Sequence, residues 1–292
     1  MLVIIHSTHN KTLSWTRGKN PNKYKYMHYL TVDGFYPRAK QLRGVFDRRF
    51  EEPLRARTER FVWDYWHVPG EYTQLRTPAF QYFPQAEYAR FHRHLVRFGR
   101  EQLGCHDISP PWLSCYIEGC RQEAHQDLPH GPIAFVFSLT NWKSRKFRGG
   151  ETFIVKPKTL IEPKFNRLTL FNPALTHGVR EVRGTHDPRE GRLVMNGWFV
   201  NPRPFWTGPL TAAEVQTSFD EGLANLDPRK LEPGFASYRM NISTSGRVTG
   251  IKTLIDTFAT PAMSRSLERE LKGIRFARKK AASRLTFPLR ID

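Results

Sequence analysis

The chain has 292 residues, enough for one large domain or for a medium domain and a small one. Hydrophobic residues make up 39% of it and charged residues 25%, which excludes a largely disordered protein. Its net charge of +19, from 46 Lys and Arg against 27 Asp and Glu, favours acidic partners such as nucleic acid or an anionic surface. The basic residues are spread along the chain without an aromatic-interleaved RNA motif, so a general basic surface is the competing interpretation.

Neither a membrane anchor nor a secretory signal is predicted, because no apolar run approaches a span and only a short one precedes His6. The three cysteines, Cys105, Cys115 and Cys120, are an odd number without a Cys-x-x-Cys pair. A disulfide framework is therefore not expected, and the pattern favours a reducing, cytoplasmic location.

Two segments of the first hundred residues have the spacing of amphipathic helices. In FYPRAKQLRGVFDRRFEEPLR, Leu42, Phe46 and Phe50 recur at intervals of four. In PQAEYARFHRHLVRFGREQLG, the apolar positions are Tyr88, Phe91, Leu95 and Phe98. Gly104 would end that second helix. We expect residues 27–105 to form a helical support.

From about Leu113 the pattern changes to short alternating segments separated by turns, which is typical of a β-sandwich or barrel. The segments are LSCYIEG, IAFVFSL, ETFIVKP, RLTLFN, HGVREV and RLVMNGWFV. We therefore expect a β core over residues 110–201. The proline-rich PRPFWTGPLT that follows Asn201 indicates a boundary.

The stretch EAHQDLPHG places His125 and Asp127 two residues apart. In a strand, residues i and i+2 project to the same face, so an imidazole and a carboxylate would converge on one metal ion. A pair of surface polar residues is the alternative, because this spacing is common by chance. His177, which opens a later predicted strand, supplies a second imidazole. Two histidines and one carboxylate from separate strands are the donor set of non-haem Fe(II) oxygenases, which leaves metal positions open.

An arginine on a strand that is predicted to be buried on both faces is the next candidate. Along GRLVMNGWFV, Arg192 shares one face with Trp198. A buried guanidinium needs a carboxylate or phosphate partner, and its planar fork suits a two-point grip on a carboxylate. The alternative is a salt bridge within the protein, to Glu181 or Glu151.

Together these segments resemble the Fe(II)/2-oxoglutarate-dependent dioxygenases, and among them the prolyl-4-hydroxylase-like branch. Four pieces stand in the order of that family: CYIEGCRQEAHQD, RGGETFIV, EPKFNRLTLFNPALTHGV and RLVMNGWF. The resemblance implies a double-stranded β-helix (jelly-roll) core that uses Fe(II), 2-oxoglutarate and O2, with ascorbate as an optional addition. It implies hydroxylation of an unactivated C–H bond of an amino acid, peptide or protein side chain, with release of succinate and CO2.

The resemblance also implies roles for individual residues. The iron ligands would be the three residues already described: His125, Asp127 and His177. Arg192 would form a salt bridge with the distal carboxylate of 2-oxoglutarate. Tyr116 is implied as a helper at that carboxylate, and Ser138 as a lining residue of the same pocket. Three further residues are expected at the entrance: Trp112, Trp142 and Arg180.

Some relatives are disfavoured by single positions. Asp127 supplies the metal carboxylate that halogenases of this superfamily lack, and histone demethylases typically carry His-x-Glu. Nucleic-acid demethylases carry a second arginine six residues after the anchor, where this chain has Trp198. Nucleic acid is therefore disfavoured as the substrate despite the positive charge. His130 and His106 are interpreted as hydrogen-bonded loop residues rather than ligands.

The last sixty residues have a pattern of their own. Two alternating segments flank the turn STSGR, Pro261 opens a helix, and RLTFPLRI closes as a strand, so the predicted order is ββαβ. The apolar stripe of the helix is Met263, Leu267, Leu271 and Ile274. This region resembles the C-terminal module of TonB-type energy transducers, which implies a small α+β module. Its role would be to dock a partner, and simple packing on the core is the alternative.

The sequence thus predicts a mainly β protein with helical support: an oxygenase domain over 1–207, a linker over 208–232 and the C-terminal module over 233–292. The favoured function is that of a 2-oxoglutarate-dependent hydroxylase with an amino-acid, peptide or protein substrate. The competing function is a basic binding module for acidic partners or nucleic acid, with a non-catalytic jelly-roll.

Overall fold

The structure is a computed structural model, and it describes residues 29–51, 63–128, 130–224, 226, 234–258 and 261–291. The chain divides into two compact units. The core unit comprises Tyr29–Leu95 and Ile108–Phe199, and the C-terminal unit comprises the described parts of Val96–Asp107 and Val200–Asp292. Residues 1–28 of the predicted oxygenase domain and most of 225–233 in the predicted linker region lie outside the described residues.

The strands, in chain order, are β1 (Tyr29–Asp33), β2 (Asp64–Val68), β3 (Tyr72–Pro78), β4 (Cys105–Ile108), β5 (Trp112–Tyr116), β6 (Arg121–His125), β7 (Ile133–Ser138), β8 (Thr152–Ile154), β9 (Thr159–Ile161), β10 (Arg167–Phe171), β11 (His177–Val179), β12 (Arg192–Pro202), β13 (Phe205–Thr207), β14 (Gly234–Ile242), β15 (Val248–Asp256) and β16 (Ser283–Ile291). The α-helices are α1 (Ala39–Glu51), α2 (Ala79–Tyr82), α3 (Gln85–Phe98), α4 (Ala212–Gly222) and α5 (Pro261–Gly273). None of these described helices has both the length and the apolarity to cross a membrane.

The core unit is built on a curled antiparallel sheet. Its strands follow the order β1, β10, β7, β12, β5, β3, β6, β11, β8 and β9, and β2 pairs with β3. Neighbours such as β1 with β10 and β6 with β11 are far apart in sequence, so crossovers rather than hairpins join most of the pairs. The predicted mainly β fold with a jelly-roll core is confirmed.

Both predicted helices of the support are present, and their apolar stripes face the interior. Leu42 and Phe46 of α1 are fully buried, as are Phe91 and Leu95 of α3. The ring of Phe91 lies 4.9 Å from that of Phe137 in β7, which ties α3 to the sheet. Gly104 ends the helical segment with φ of 69°, a conformation that glycine adopts without strain.

The structure corrects the prediction for residues 27–105 in one respect: the support also contains the strands β1, β2 and β3. β3 pairs with both β5 and β6 and so belongs to the core sheet. The turn between β2 and β3 contains Gly70 at φ of 76°. Pairing with distant strands, which local helix spacing does not report, decides the conformation here.

In the C-terminal unit, residues 234–291 have the predicted order strand, strand, helix, strand. The four strands are arranged β13, β16, β14, β15, and all of their pairings are antiparallel. The predicted apolar stripe of α5 is buried in the same hydrophobic cluster as the inner residues of β14 and β16. The likeness of this region to TonB-type modules stays a prediction, as do the domain boundaries at 207 and 233.

Helix α4 lies inside the segment predicted as a linker, and it contributes to the core of the C-terminal unit. Val215 and Phe219 are buried in that core, where the Phe219 ring stacks on Phe287 at 4.0 Å. The helix begins with a capping box, because the Thr211 hydroxyl accepts from the Glu214 amide while the Glu214 carboxylate accepts from the Thr211 amide.

The cap of α4 gives a stability prediction. Thr211→Ala is expected to lower the free energy of unfolding by about 1 kcal/mol, because the Glu214 amide loses its hydrogen-bond acceptor. Thr217→Ala, an exposed change inside the same helix, is expected to raise it by up to about 0.5 kcal/mol through helix propensity. Urea denaturation measures both effects, and equal free energies of unfolding for the two variants would show that the cap contributes nothing.

Candidate metal centre

The pairing of β6 with β11 brings the two predicted histidine ligands together. His125 is the last residue of β6 and His177 is the first of β11, and the two are opposite each other in the register. Asp127 lies two residues beyond the end of β6, in the following loop rather than in a strand. Its amide donates to the Pro173 carbonyl at 2.9 Å, so a backbone hydrogen bond, rather than strand alternation, fixes its position.

The three side chains point into a common space. The His125 Nε2 and His177 Nε2 atoms each lie 3.4 Å from an oxygen of the Asp127 carboxylate. The ligand atoms of all three lie within 4.8 Å of one another, and this is the one such group of three or more His, Cys, Asp or Glu within the described ranges. The predicted ligand set is therefore assembled, with two imidazoles and one carboxylate.

Both imidazoles are oriented by backbone carbonyls. His125 Nδ1 lies 2.9 Å from the Glu123 carbonyl and His177 Nδ1 lies 2.8 Å from the Leu175 carbonyl. Because a carbonyl only accepts, each Nδ1 carries a proton, so Nε2 is the nitrogen turned to the centre, where it donates to Asp127 when protonated and offers its lone pair to a metal ion when it is not. This is the arrangement of imidazoles that a divalent metal ion requires.

The electrostatics of the cluster favour an ionised carboxylate. Burial raises the pKa of Asp127, but the hydrogen bonds from His125 and His177 outweigh it and hold that pKa well below its usual range. For His125, burial lowers the pKa, while the Asp127 carboxylate and the Glu123 carbonyl raise it, and the net shift is upward. The donor set thus carries one negative charge, which suits Fe(II).

The cluster lies in a cavity of about 410 Å³, within the roughly 300–1,000 Å³ range of small-molecule sites. Alternate residues of several strands line it, including Arg192, Val194, Asn196 and Trp198 of β12. The other strands contribute Tyr72, Gln74 and Arg76 of β3, Trp112 and Tyr116 of β5, Val136 of β7, Thr152 of β8 and Phe171 of β10. The face predicted for Arg192 is therefore the face that borders the metal centre.

Arg192 is a buried cation with unused donors. Its side chain is 1% exposed, and its Nη2 donates to the Thr152 hydroxyl at 3.2 Å. The Nε and Nη1 atoms have no hydrogen-bond partner in the part of the chain that the structure describes. Burial lowers the pKa of this guanidinium. A buried cation with two free donors beside a cavity is suited to bind an anion.

The alternative for Arg192, a salt bridge within the protein, has no support in the described residues. Glu151 lies 3.5 Å from Arg180, and Glu181 lies 3.0 Å from Arg183. Neither carboxylate forms an ion pair with Arg192 within the described chain. Within the described residues, Arg192 is therefore available to an anionic ligand.

Tyr116 adjoins this arginine, whereas Ser138, predicted to line the same pocket, is not among the residues that line the cavity. Tyr116 is opposite Arg192 in the register of β5 and β12, and the guanidinium carbon lies 4.5 Å from its ring. Its hydroxyl donates to Gln74 Oε1 at 2.8 Å. The Ser138 hydroxyl donates to the Pro163 carbonyl at 2.7 Å and accepts from the Thr140 amide at 3.1 Å, so both of its polar functions are taken by the fold.

His130 and His106 do not belong to the ligand cluster. His130 lines the same cavity, but it is exposed and its ring lies 4.5 Å from that of Trp198. His106 has its Nε2 3.2 Å from the Arg203 carbonyl, and burial lowers its pKa to about 4. Of the residues expected at the entrance, Trp112 lines the cavity and the other two do not. Trp142 is buried with Phe147 in a cluster that also contains Tyr116, and Arg180 is exposed and pairs with Glu151.

Sequence reasoning missed the contribution of the hairpin β2–β3. Arg76 of β3 lines the cavity, and its guanidinium carbon lies 3.5 Å from the Trp66 ring and 4.3 Å from the Trp112 ring. The available signal was the aromatic and β-branched composition of DYWHV and YTQL on either side of a Pro-Gly turn.

Gly178 is closely packed beside His177, so a methyl group added there tests whether metal binding depends on the pairing of β6 with β11. A methyl group at Gly178 would clash with the Gln122 carbonyl and lie 2.8 Å from the Glu123 carbonyl. Gly178→Ala is expected to cost about 1–3 kcal/mol of stability and to weaken Co(II) binding, because β6 and β11 must separate. Gly44→Ala in α1, whose methyl would meet only a flexible arginine end, is the control. Isothermal titration with Co(II) and urea denaturation measure both variants, and unchanged Co(II) affinity in Gly178→Ala would contradict the expectation.

Comparison with known proteins agrees with this geometry. Residues 111–200, which include the three clustered side chains and Arg192, match the family model described as the 2OG-Fe(II) oxygenase superfamily. A search of the curated proteins finds no match.

The solved structures that match this chain include three prolyl hydroxylases. A Pseudomonas putida prolyl-4-hydroxylase is 16% identical, with 60% of this chain and 92% of that chain covered and a TM-score of 0.44. A Trichoplax adhaerens prolyl hydroxylase in complex with a hypoxia inducible factor peptide is 14% identical (59% and 83% covered, TM-score 0.42). The collagen prolyl hydroxylase of Paramecium Bursaria Chlorella virus-1 is 15% identical (62% and 98% covered, TM-score 0.39).

Proposed function

Since residues 111–200 form a domain of the 2OG-Fe(II) oxygenase superfamily, we propose that this dioxygenase hydroxylates an unactivated C–H bond of an amino acid, peptide or protein side chain. The observation that carries the proposal is that the metal-ligand cluster and Arg192 line one cavity. Two donor atoms of Arg192 have no partner in the described residues and are able to bind an anion. A cavity of about 410 Å³ has the size of a site for small ligands or a single side chain.

In this proposal His125, Asp127 and His177 hold the iron. They fit it, because two imidazole nitrogens and one carboxylate oxygen are ligands that Fe(II) accepts, and a three-ligand set leaves positions for other molecules. When bound, Fe(II) with 2-oxoglutarate and O2 supplies the oxidation, which yields succinate and CO2. The carbonyls of Glu123 and Leu175 keep each Nε2 aimed at the centre.

Arg192 would take the distal carboxylate of 2-oxoglutarate. Its fork is fixed by the Thr152 hydroxyl on one side and by the Tyr116 ring on the other, so little conformational entropy is lost on binding. Tyr116 is a positioning residue in this scheme, because its hydroxyl is engaged with Gln74. The burial of Arg192 excludes water from the pair and strengthens it.

The direct test is the formation of succinate from 2-oxoglutarate by the purified protein with Fe(II) in air, with parallel measurement of metal binding. Succinate formation that depends on Fe(II) and on Asp127 is the expected result. Absence of both metal binding and 2-oxoglutarate consumption would overturn the proposal. A salt-sensitive affinity for nucleic acid that survives Asp127→Ala, without succinate formation, would favour the basic binding module instead.

A further inference from the structure

The cavity of the metal centre contains a second arginine that the proposed function does not use. Arg76 projects from β3 on the same face as Tyr72 and Gln74. Its guanidinium carbon lies 3.5 Å from the centre of the Trp66 ring and 4.3 Å from that of the Trp112 ring, and the two rings are 6.5 Å apart and inclined at 64°. The indoles therefore form a corner around the guanidinium, and the N–H groups that point away from the two rings are the part able to donate.

No acceptor meets that edge in the described parts of the chain. The Arg76 Nε atom is buried without a hydrogen-bond partner, and Arg76 forms no ion pair with any described carboxylate. Asp64 is opposite Arg76 in the register of β2 and β3, yet no salt bridge joins them in the described structure. Burial lowers the pKa of this guanidinium. A partly desolvated cation in this state gains most from an anionic ligand.

Arg76 and Arg192 occupy different places on the cavity wall. The Tyr116 ring lies against Arg192, and its hydroxyl binds Gln74, which is next to Arg76 on the same face of β3. Under the proposed function, 2-oxoglutarate uses one carboxylate at the metal and the other at Arg192. Arg76 is therefore left for an anionic group of another molecule in the same cavity.

We propose that Arg76, in contact with Trp66 and Trp112, binds the main-chain carboxylate of the substrate, so that the substrate is a free amino acid or the C-terminal residue of a peptide. The inference rests on the proposed function and narrows it. A carboxylate matches the flat fork of arginine, and contact with the two indoles restricts the orientation of that fork. A residue in the interior of a protein chain has no main-chain carboxylate to offer.

The test is a panel of the twenty amino acids in three forms: the free amino acid, the N-acetyl acid and the N-acetyl amide. Binding is measured by tryptophan fluorescence, since Trp66 and Trp112 contact Arg76, and turnover is measured by stimulated succinate formation. We expect at least one acid to bind about tenfold or more tightly than its amide, because a charged hydrogen-bonding partner is lost in the amide. Tight binding of the N-acetyl acid indicates a peptide C-terminus, and tight binding of only the free form indicates an amino acid.

Three variants assign the preference to Arg76. Arg76→Gln is expected to abolish the difference between acid and amide, and Arg76→Lys to retain part of it because the charge remains without the fork. Arg145→Gln is the matched control, since Arg145 also stacks on a tryptophan, at 3.6 Å from Trp142, but outside the cavity. It should keep the full difference.

The outcomes separate this inference from the proposed function. If the wild type binds no metal and consumes no 2-oxoglutarate, the proposed function itself fails. If metal binding and 2-oxoglutarate consumption are present but amides bind as well as acids, or no panel member binds, the role of Arg76 is overturned. An equal rise in KM for 2-oxoglutarate and for the panel acid in Arg76→Gln would also overturn it, because Arg76 would then serve the co-substrate.

Discussion

His177→Ala is expected to lower succinate formation by more than about 100-fold, because even changes in the groups that orient metal ligands cost roughly 10- to 100-fold. His177 is 5% exposed, and its Nε2 lies 3.4 Å from the Asp127 carboxylate. Loss of this imidazole leaves a two-ligand site, so Co(II) affinity should fall in parallel with activity. Isothermal titration with Co(II) and a succinate assay on the same preparations measure both quantities.

His186→Ala is the matched control for that variant. His186 precedes Asp187 and forms a second His-Asp pair in the sequence, but its side chain is exposed and it is not part of the cluster. Its replacement should leave metal affinity and succinate formation at the wild-type level. Undiminished turnover in His177→Ala, or an equal loss in both variants, would show that the metal is held elsewhere.

The ligand cluster was predictable from the sequence because its histidines follow simple rules of strand geometry. His125 ends a strand and His177 begins another, and the register places them opposite each other. The reasoning for Asp127 was only partly right, since β6 ends at His125 and the carboxylate is placed by a hydrogen bond to Pro173. Loop geometry of this kind depends on a contact between distant segments, which a local pattern does not contain.

The hairpin β2–β3 shows where local patterns were insufficient. Its residues were assigned to a helical support, yet β3 lies between β5 and β6 and lines the cavity. The β-rich composition of DYWHV and YTQL was weaker evidence than the helix spacing on either side, and the pairing partners lie some forty residues away along the chain. The cation beside two tryptophans, Arg76, was missed for the same reason, because Trp66 and Trp112 come from separate strands.

Arg192→Met is expected to raise KM for 2-oxoglutarate by roughly 30- to 5,000-fold, which corresponds to the 2–5 kcal/mol typical of a broken buried charge pair. The KM of Arg192→Lys for 2-oxoglutarate should lie between those of the wild type and Arg192→Met, because lysine keeps the charge but loses the two-point grip. The rate at saturating 2-oxoglutarate should change less than KM, because the distal carboxylate is remote from the oxidised bond. Arg180→Met, on an exposed arginine that pairs with Glu151, is the control and should keep the wild-type KM.

Arg192→Met is expected to weaken 2-oxoglutarate binding without lowering the stability of the fold. Without 2-oxoglutarate, Arg192 keeps two donors without a partner in the described residues, which is a cost to the folded state. Arg192→Met removes that cost, so its Tm without the co-substrate should equal or exceed that of the wild type, while added 2-oxoglutarate should stabilise the wild type alone. A lower Tm together with an unchanged KM would instead assign Arg192 to the support of the fold. A gain in stability combined with a loss of affinity is the signature of a charge that is kept for its ligand rather than for the fold.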